Sequence, residues 1–443
     1  MKQIILLIFI SPISLAVFAQ SLDSSKKWTY HFQLTAINQT HPSFNAKYSG
    51  DNSLINQAES KRLSLTTTLF LGHKLWKNGA LYLNPEIAGG SGISSAKGIA
   101  GFTNGETFRI GSTAPALYIA RLFFRQHIPL KNTGYKTVVS NVNQVEEEIP
   151  TSRITITVGK ISLSDFYDNN SYSHDPRSQF MNWSLMSNAA WDYPADTRGY
   201  TQGVVAELIK PSFTMRFSSV LVPRKANGLK LDYKVTKAHS ETIEFEKTFK
   251  TKRATVVRLL AYRSISQAPT YNNTLAEVKM GDSASVDVYT GEMEWKRYGG
   301  VKYGFGFNAE KEISGTIGTF LKASWNDGKT ATWAFTEIDQ SISAGINIKG
   351  DSWKRVNDNI GIAQVINGIS KAHQNFLNAG LYGFIIGDGK LNYGAETITE
   401  IYYKAQIAKS FFISADYQFV NNPAYNKDRG PVHVFAIRGH IEF

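Results

Sequence analysis

The sequence predicts an all-β fold: a transmembrane, antiparallel, up-and-down β-barrel with long loops at one end, some folded into the lumen. Three observations predict it. Apolar and polar residues alternate with a period of two through about sixteen segments. The links between segments alternate long and short, as outside loops and periplasmic turns do in outer-membrane barrels. Beyond the N-terminus no apolar run reaches about 18 residues, so helices are not the spanning element.

The chain opens with a leader. Residues 1–19 read as a secretory signal peptide, with Lys2 as the charged start, Ile4 to Ile10 as apolar core and Val17-Phe18-Ala19 as cleavage site. Residues 20–443 then form one barrel domain. They hold no cysteine, which excludes disulfides, lipid attachment through a thiol, a Cys-based metal site and a thiol nucleophile. The net charge of +12 becomes +11 without Lys2. Basic residues are scattered rather than run together, so nucleic acid is not an expected partner. In an exported chain this charge suits a basic pore lining or contact with anionic lipopolysaccharide. Aromatics make up 12% of the chain, enough for interfacial girdles.

The expected strands are 28–38, 61–72, 80–90, 115–127, 153–161, 200–210, 212–221, 240–249, 252–263, 299–309, 314–325, 331–349, 359–368, 396–408, 410–421 and 430–443. Each presents two faces. In the first, Trp28, Tyr30, Phe32, Leu34 and Ala36 oppose Thr29, His31, Gln33 and Thr35. Arg216 falls on a polar face opposite Met215 and Phe217, and Lys322 opposite Leu321 and Ala323. Glu400 and Lys404 oppose Ile401 and Tyr403, and Asp416 opposes Ala415 and Tyr417. In the last strand Arg438, His440 and Glu442 oppose Phe435, Ile437, Ile441 and Phe443. Burying such charges in a sandwich core is costly. In a wide barrel they face the lumen, and the apolar row faces lipid. The last strand must pair with the first, because an open edge is not tolerated in a membrane.

The links are long at 39–60, 91–114, 162–199, 222–239, 264–298 and 369–395. They are short at His73 to Gly79, Pro211, Lys250-Thr251, Ala309 to Lys311 and Lys409. Two links break the rule. The link 128–152 is too long and reads as an insertion; the link 326–330 is too short for its end.

Two stretches could carry chemistry. In 159–200, Asp165, Asp168, Asn169 and Asn182 interleave with Phe180, Trp183 and Tyr193. Carboxylates and amides bond sugar hydroxyls, while ring C–H faces lie on aromatics. The same composition also suits a solvated external loop with a short helix near 176–190. In 98–125, Glu106 and Arg109 precede Arg121 and Arg125, which share a strand face. Such cations bias a pore toward anions, grip sugar hydroxyls, or merely sit solvated in the lumen. No HExxH, GxSxG or Walker motif is present. Asp165 and Asp168 as a glycosidase pair, or Ser173 beside His174 as a nucleophile and base, are the weak enzymatic readings. No metal or cofactor site is expected.

These residues resemble the carbohydrate-selective porin family, the OprB type. The likeness runs through Asn104-Gly105-Glu106, Arg121 to Gln126, Gly159-Lys160, Asp165, Asp168-Asn169-Asn170, His174-Asp175, Gln179-Phe180, Asn182 and Asp192 to Asp196. It continues through Asn227-Gly228, Leu259 to Tyr262, Gly387-Asp388-Gly389, Glu396, Glu400, Tyr402-Tyr403, Asp416, Gln418 and Asn422-Pro423. The link 128–152 departs from the family pattern without touching the pore motifs. The resemblance implies a 16-stranded outer-membrane barrel for passive diffusion of mono- or oligosaccharides, narrowed by inward loops around an arginine-lined pore. The C-terminal strand ending in Phe443 resembles the terminal signature of outer-membrane barrels, a handle for the barrel assembly machinery.

The expected pore residues are therefore Glu106, Arg109, Arg121, Arg125, Asp165, Asp168, Asn169, Asn182 and Trp183. Arg216, Lys322, Glu400, Lys404, Asp416 and Arg438 are expected to face the lumen. Partners are sugars, outer-membrane lipid and lipopolysaccharide, and the barrel stands as a monomer or a homotrimer. The alternatives are a general or anion-preferring porin, an envelope-modifying barrel enzyme and a glycan-binding adhesion barrel.

Overall fold

A computed structural model of the chain describes residues 27–106, 114–249 and 252–443. The signal peptide expected at 1–19 lies outside them, as does Arg109. Among the described residues there are eighteen strands. The first four are β1 (Trp28–His41), β2 (Glu59–Trp76), β3 (Gly79–Gly90) and β4 (Ala116–Pro129). Then come β5 (Tyr135–Val138), β6 (Glu147–Pro150), β7 (Arg153–Ile161), β8 (Thr201–Lys210), β9 (Phe213–Val220) and β10 (His239–Phe249). They are followed by β11 (Thr255–Ser266), β12 (Gly300–Glu312), β13 (Ile317–Asn326) and β14 (Gln340–Lys349). The chain ends with β15 (Asn359–Gly368), β16 (Glu396–Ala408), β17 (Phe411–Asn421) and β18 (Val432–Glu442). All but β5 and β6 form one closed barrel, each pairing antiparallel with its neighbours. β18 closes on β1, from Gln33 opposite Glu442 to Thr40 opposite Phe435.

The period-2 pattern sets which face is wet. Phe435 and Ile437 of β18, Met215 and Phe217 of β9, and Phe305 of β12 are exposed on the outer wall. Trp28 and Trp76 are exposed near the short-turn end, Tyr303 and Trp325 near the other. That is the pair of aromatic girdles at the two interfaces of a membrane barrel.

The apolar core lies inside the barrel and is built mostly by loops. Phe102, Tyr167, Trp183, Trp191, Tyr193, Trp333, Phe335, Phe384 and Tyr425 form one buried cluster there. The described part of the expected loop 91–114, up to Glu106, and the expected loop 162–199 fold inward. The short helix expected near 176–190 is a single turn, Trp183–Met186, capped by the Asn182 side chain accepting from the Ser184 amide.

Three expectations need correction. The strand expected over 331–349 begins only at Gln340, so the link is 327–339 and is long after all. Ala331, Trp333 and Phe335 alternate with Thr332, Ala334 and Thr336 as a strand would, but their apolar row is buried in the lumen core. Thr332 and Thr336 are buried as well, and period-2 patterning cannot tell such a packed loop from a strand. Second, the link between β4 and β7 carries the hairpin β5–β6, whose tip folds back into the barrel. The backbone oxygen of Asn143 accepts from Arg125 at 3.0 Å, so this link does touch a residue expected in the pore.

Third, the lumen-facing charges point inward but mostly do not line water. Arg438 is fully buried and donates to the backbone oxygens of Pro176 and Gln179, at 2.6 and 2.8 Å. Glu400 accepts from the amides of Met181 and Asn182, at 2.6 and 2.9 Å. Lys322 is ion-paired with Asp168 at 3.0 Å and bonds the Met186 oxygen. Asp416 is buried beside Gln418, and Lys404 lies over the Phe412 ring. Arg216 bridges Glu207, Glu244 and Glu246 on the inner wall. A buried N–H or C=O left unbonded costs about 1–3 kcal/mol, so a loop entering the barrel needs such partners. The inner strand faces supply them.

Candidate functional site

A cavity of about 300 Å³ remains between the inward loops and the β1–β4 wall. Its position follows from where each loop is anchored. Loop 91–115 is tied to the far wall by Glu396, which accepts from the amides of Ala100 and Gly101 at 2.9 and 2.7 Å. Gly105 packs against Met186 so closely that a Cβ there would collide with the sulfur. Loop 162–200 is held by Glu400 and Arg438, and its Asp192 accepts from the amides of Trp333, Ala334, Phe335 and Thr336.

Charged side chains face each other across the cavity. Arg121 of β4 makes a two-pronged bond to Asp165, at 2.6 and 2.7 Å. Its guanidinium also lies over the Tyr200 ring, 5.2 Å from the centroid. Arg177 donates to Glu106 at 2.8 Å, to Gln33 at 2.9 Å and to Glu86 at 3.4 Å. Glu86 also accepts from Thr68, Tyr118 and Tyr200. Arg198 lies over Tyr118, 4.1 Å from its centroid.

Burial opposes the Arg177 charge, but Glu106 and Glu86 outweigh it and hold the guanidinium above its ordinary pKa. Burial pushes the Glu106 carboxyl up, with Arg177 opposing and Glu86 and Asp175 adding to the rise. Burial also acts upward on Asp175, yet the Ser178 hydroxyl and Arg177 hold it below the usual carboxylate range.

An aromatic wall adjoins these charges. Trp183 stacks on Phe102 at 4.9 Å and on Tyr193 at 5.6 Å, and Phe335 lies 5.2 Å from Trp183. These rings bound a second, narrow cavity of about 70 Å³, which shares Trp183, Tyr193, Arg198 and Gly199 with the first. Asn227 links that cavity to an open one of about 620 Å³ at the long-loop end. The three cavities thus follow one another from the long-loop mouth to the charged site.

Of the expected pore residues, Glu106, Arg121, Asp165 and Trp183 are brought together on the cavity wall. Four others are not. Asp168 is sealed by Lys322, Asn188 and Asn308. Asn169 offers its backbone oxygen to Asn308 and is not among the described cavity-lining residues. Asn182 is buried, bonding Gly101 and Gln418. Arg125 is clamped by Thr157 and Asn143 beneath the Tyr82 and Phe123 rings. The sequence reading missed Glu86, Tyr118, Arg177, Arg198 and Tyr200. A signal existed for two of them: Arg177 and Arg198 are the only cations in 162–199.

A closed barrel with an apolar outer band, aromatic girdles and a loop-narrowed polar lumen defines an outer-membrane porin. Residues 57–443 match the family described as carbohydrate-selective porin, OprB family, and the chain belongs to it. Membership places the chain among non-enzymatic outer-membrane channels. No curated protein sequence matches the chain.

Solved structures share the fold. The high-pH structure of Pseudomonas putida OprB is 14% identical with a TM-score of 0.69, covering 94% of each chain. The low-pH structure of the same protein gives 11% and 0.52, covering 98% of each. The outer membrane channel DcaP of Acinetobacter baumannii gives 9% and 0.51, covering 94% of this chain and 97% of that one.

Proposed function

We propose that this porin lets small carbohydrates, mono- or oligosaccharides, diffuse passively across the outer membrane, and that the charged cavity is its selective constriction. The observation carrying this reading is that the Arg121–Asp165 pair, the Arg177–Glu106 pair and the Trp183 ring line one cavity. Fixed donors and acceptors match sugar hydroxyls from several directions, and aromatic faces take the C–H side of the ring. Such a site must bind well enough to admit a sugar and weakly enough to release it. Sugars enter past Asn227 and the aromatic stack, and leave toward the short-turn, periplasmic end.

Among the described lining residues, the carboxylates Glu86, Glu106, Asp165 and Asp175 face the guanidiniums Arg121, Arg177 and Arg198. That near balance favours neutral solutes over anions.

The test is purified protein in planar bilayers, with single-channel current recorded as a sugar series is added. The expected result is stable conductance blocked in a dose-dependent way. A hydrogen bond to a charged group contributes about 1.5–3 kcal/mol; the Asn oxygen still accepts, so Asp165→Asn should weaken the block by about tenfold, the low end of that range. A folded protein that conducts but is indifferent to every sugar overturns the reading.

A further inference from the structure

We infer that the tip of the β5–β6 hairpin forms the periplasmic floor of the sugar site, and that Asn143 is a specificity-determining residue there. This rests on the carbohydrate-channel reading above. Two neighbouring links at the short-turn end are two residues each: Lys77-Asn78 joins β2 to β3, and Pro211-Ser212 joins β8 to β9. The link 130–152 instead builds a hairpin and sends its tip up the inner wall.

The tip is fixed at several levels. The Ser140 hydroxyl bonds Thr29 and, at 3.0 Å, His31 on β1. Glu147 pairs with Lys74 of β2 at 3.3 Å. The Val145 amide donates to the Tyr82 hydroxyl at 3.3 Å, and Val145 itself is buried. Asn143 reaches the cavity. Its side-chain oxygen accepts from Asn84 at 2.9 Å, and Asn84 sits directly opposite Arg121 in the β3–β4 register. Val142 and Asn143 then share a cavity wall with Arg121 and Asp165.

Asn143 is in the left-handed region, φ 52°, which Asn and Gly tolerate and most residues do not. An amide in that place adds a donor and acceptor at the exit side of the bound sugar. A guanidinium beneath it, Arg125, holds the backbone of the tip in position.

The test uses full-length protein in planar bilayers. Asn143→Gly keeps the backbone conformation and the Asn143 oxygen for Arg125, so it removes the side chain alone. Sugar block should weaken about fivefold, the fold-change of one ordinary hydrogen bond. The loss should differ between epimeric sugars. A second variant replaces 131–151 with a two-residue turn like that at Lys77-Asn78. There, conductance should rise and block should fall further. If wild type is blocked by sugars but Asn143→Gly is blocked with unchanged affinity and epimer preference, the inference is overturned and the channel reading stands. If wild type is not blocked at all, the channel reading itself has failed.

Discussion

Replacing Arg177 with Gln tests whether the cavity is the conducting constriction. Arg177 is the cation that balances Glu106 and Glu86 across the lumen. Its removal leaves the lining more acidic by one full charge. A unit charge about 8 Å from a passing ion is worth about 2 kcal/mol at an effective dielectric of about 20, and about 0.5 kcal/mol in bulk water. A wet lumen lies between, at about 1 kcal/mol, or about fivefold in partitioning. Cation and anion shift in opposite directions, so the cation-to-anion permeability ratio should rise roughly twentyfold. The assay is the reversal potential under a KCl gradient kept near 0.1 M, where the screening length is still about 10 Å. Arg177→Lys, which keeps the charge but loses the planar fork, should leave the potential near the wild-type value. Arg177→Gln should also melt earlier, because stripping the partner from a buried carboxylate costs about 3–5 kcal/mol before lumen water relieves it. Glu86, only 1% exposed, is that carboxylate. An unchanged reversal potential in an assembled Arg177→Gln barrel refutes the constriction.

Two further outcomes concern the loops. Asp192→Asn should loosen loop 327–339, because four backbone amides share that carboxylate; current noise should increase while mean conductance stays similar, and quiet traces would argue against the lock. Glu337 accepts from the amides of Phe384, Ile385 and Ile386 beside His373. Burial pushes it up to about 7, with His373 and the amides opposing. A raised carboxyl stabilises the fold most below its ordinary value and loses that contribution as pH rises through about 7. Thermal stability should therefore fall between about pH 5 and pH 8 in wild type and less in Glu337→Gln, and equal pH slopes would count against it.

The barrel was legible because membrane strands leave two independent marks, alternation and link asymmetry. β18 shows the first: Phe435 and Ile437 outward, Arg438 and His440 inward, as the pattern requires. The failures share a cause. Alternation reports which side of a strand is apolar, but not what the apolar side meets. At Ala331 to Phe335 it meets other loops rather than lipid. The site was half legible. Arg121 and Asp165 stand 44 residues apart in sequence, and only inward folding of loop 162–200 joins them. Glu86 escaped because a lone strand carboxylate has no local mark. The hairpin tip escaped because a long link says nothing of its direction.

Arg121 and Arg438 obey the same alternation, yet the structure gives them different work. What separates them is the partner each loop presents. Arg438 meets the backbone oxygens of Pro176 and Gln179, which cannot turn away while the loop stays folded. That guanidinium is a fixed anchor. Arg121 meets the side chain of Asp165, which is 28% exposed at the cavity. A carboxylate there keeps lone pairs beyond the two bonded ones and can accept from a passing hydroxyl. Inward-facing charge in this barrel is thus of two kinds. Charge bonded to loop backbone sets where the channel runs. Charge bonded to loop side chains at an open wall is what a sugar can meet on its way through.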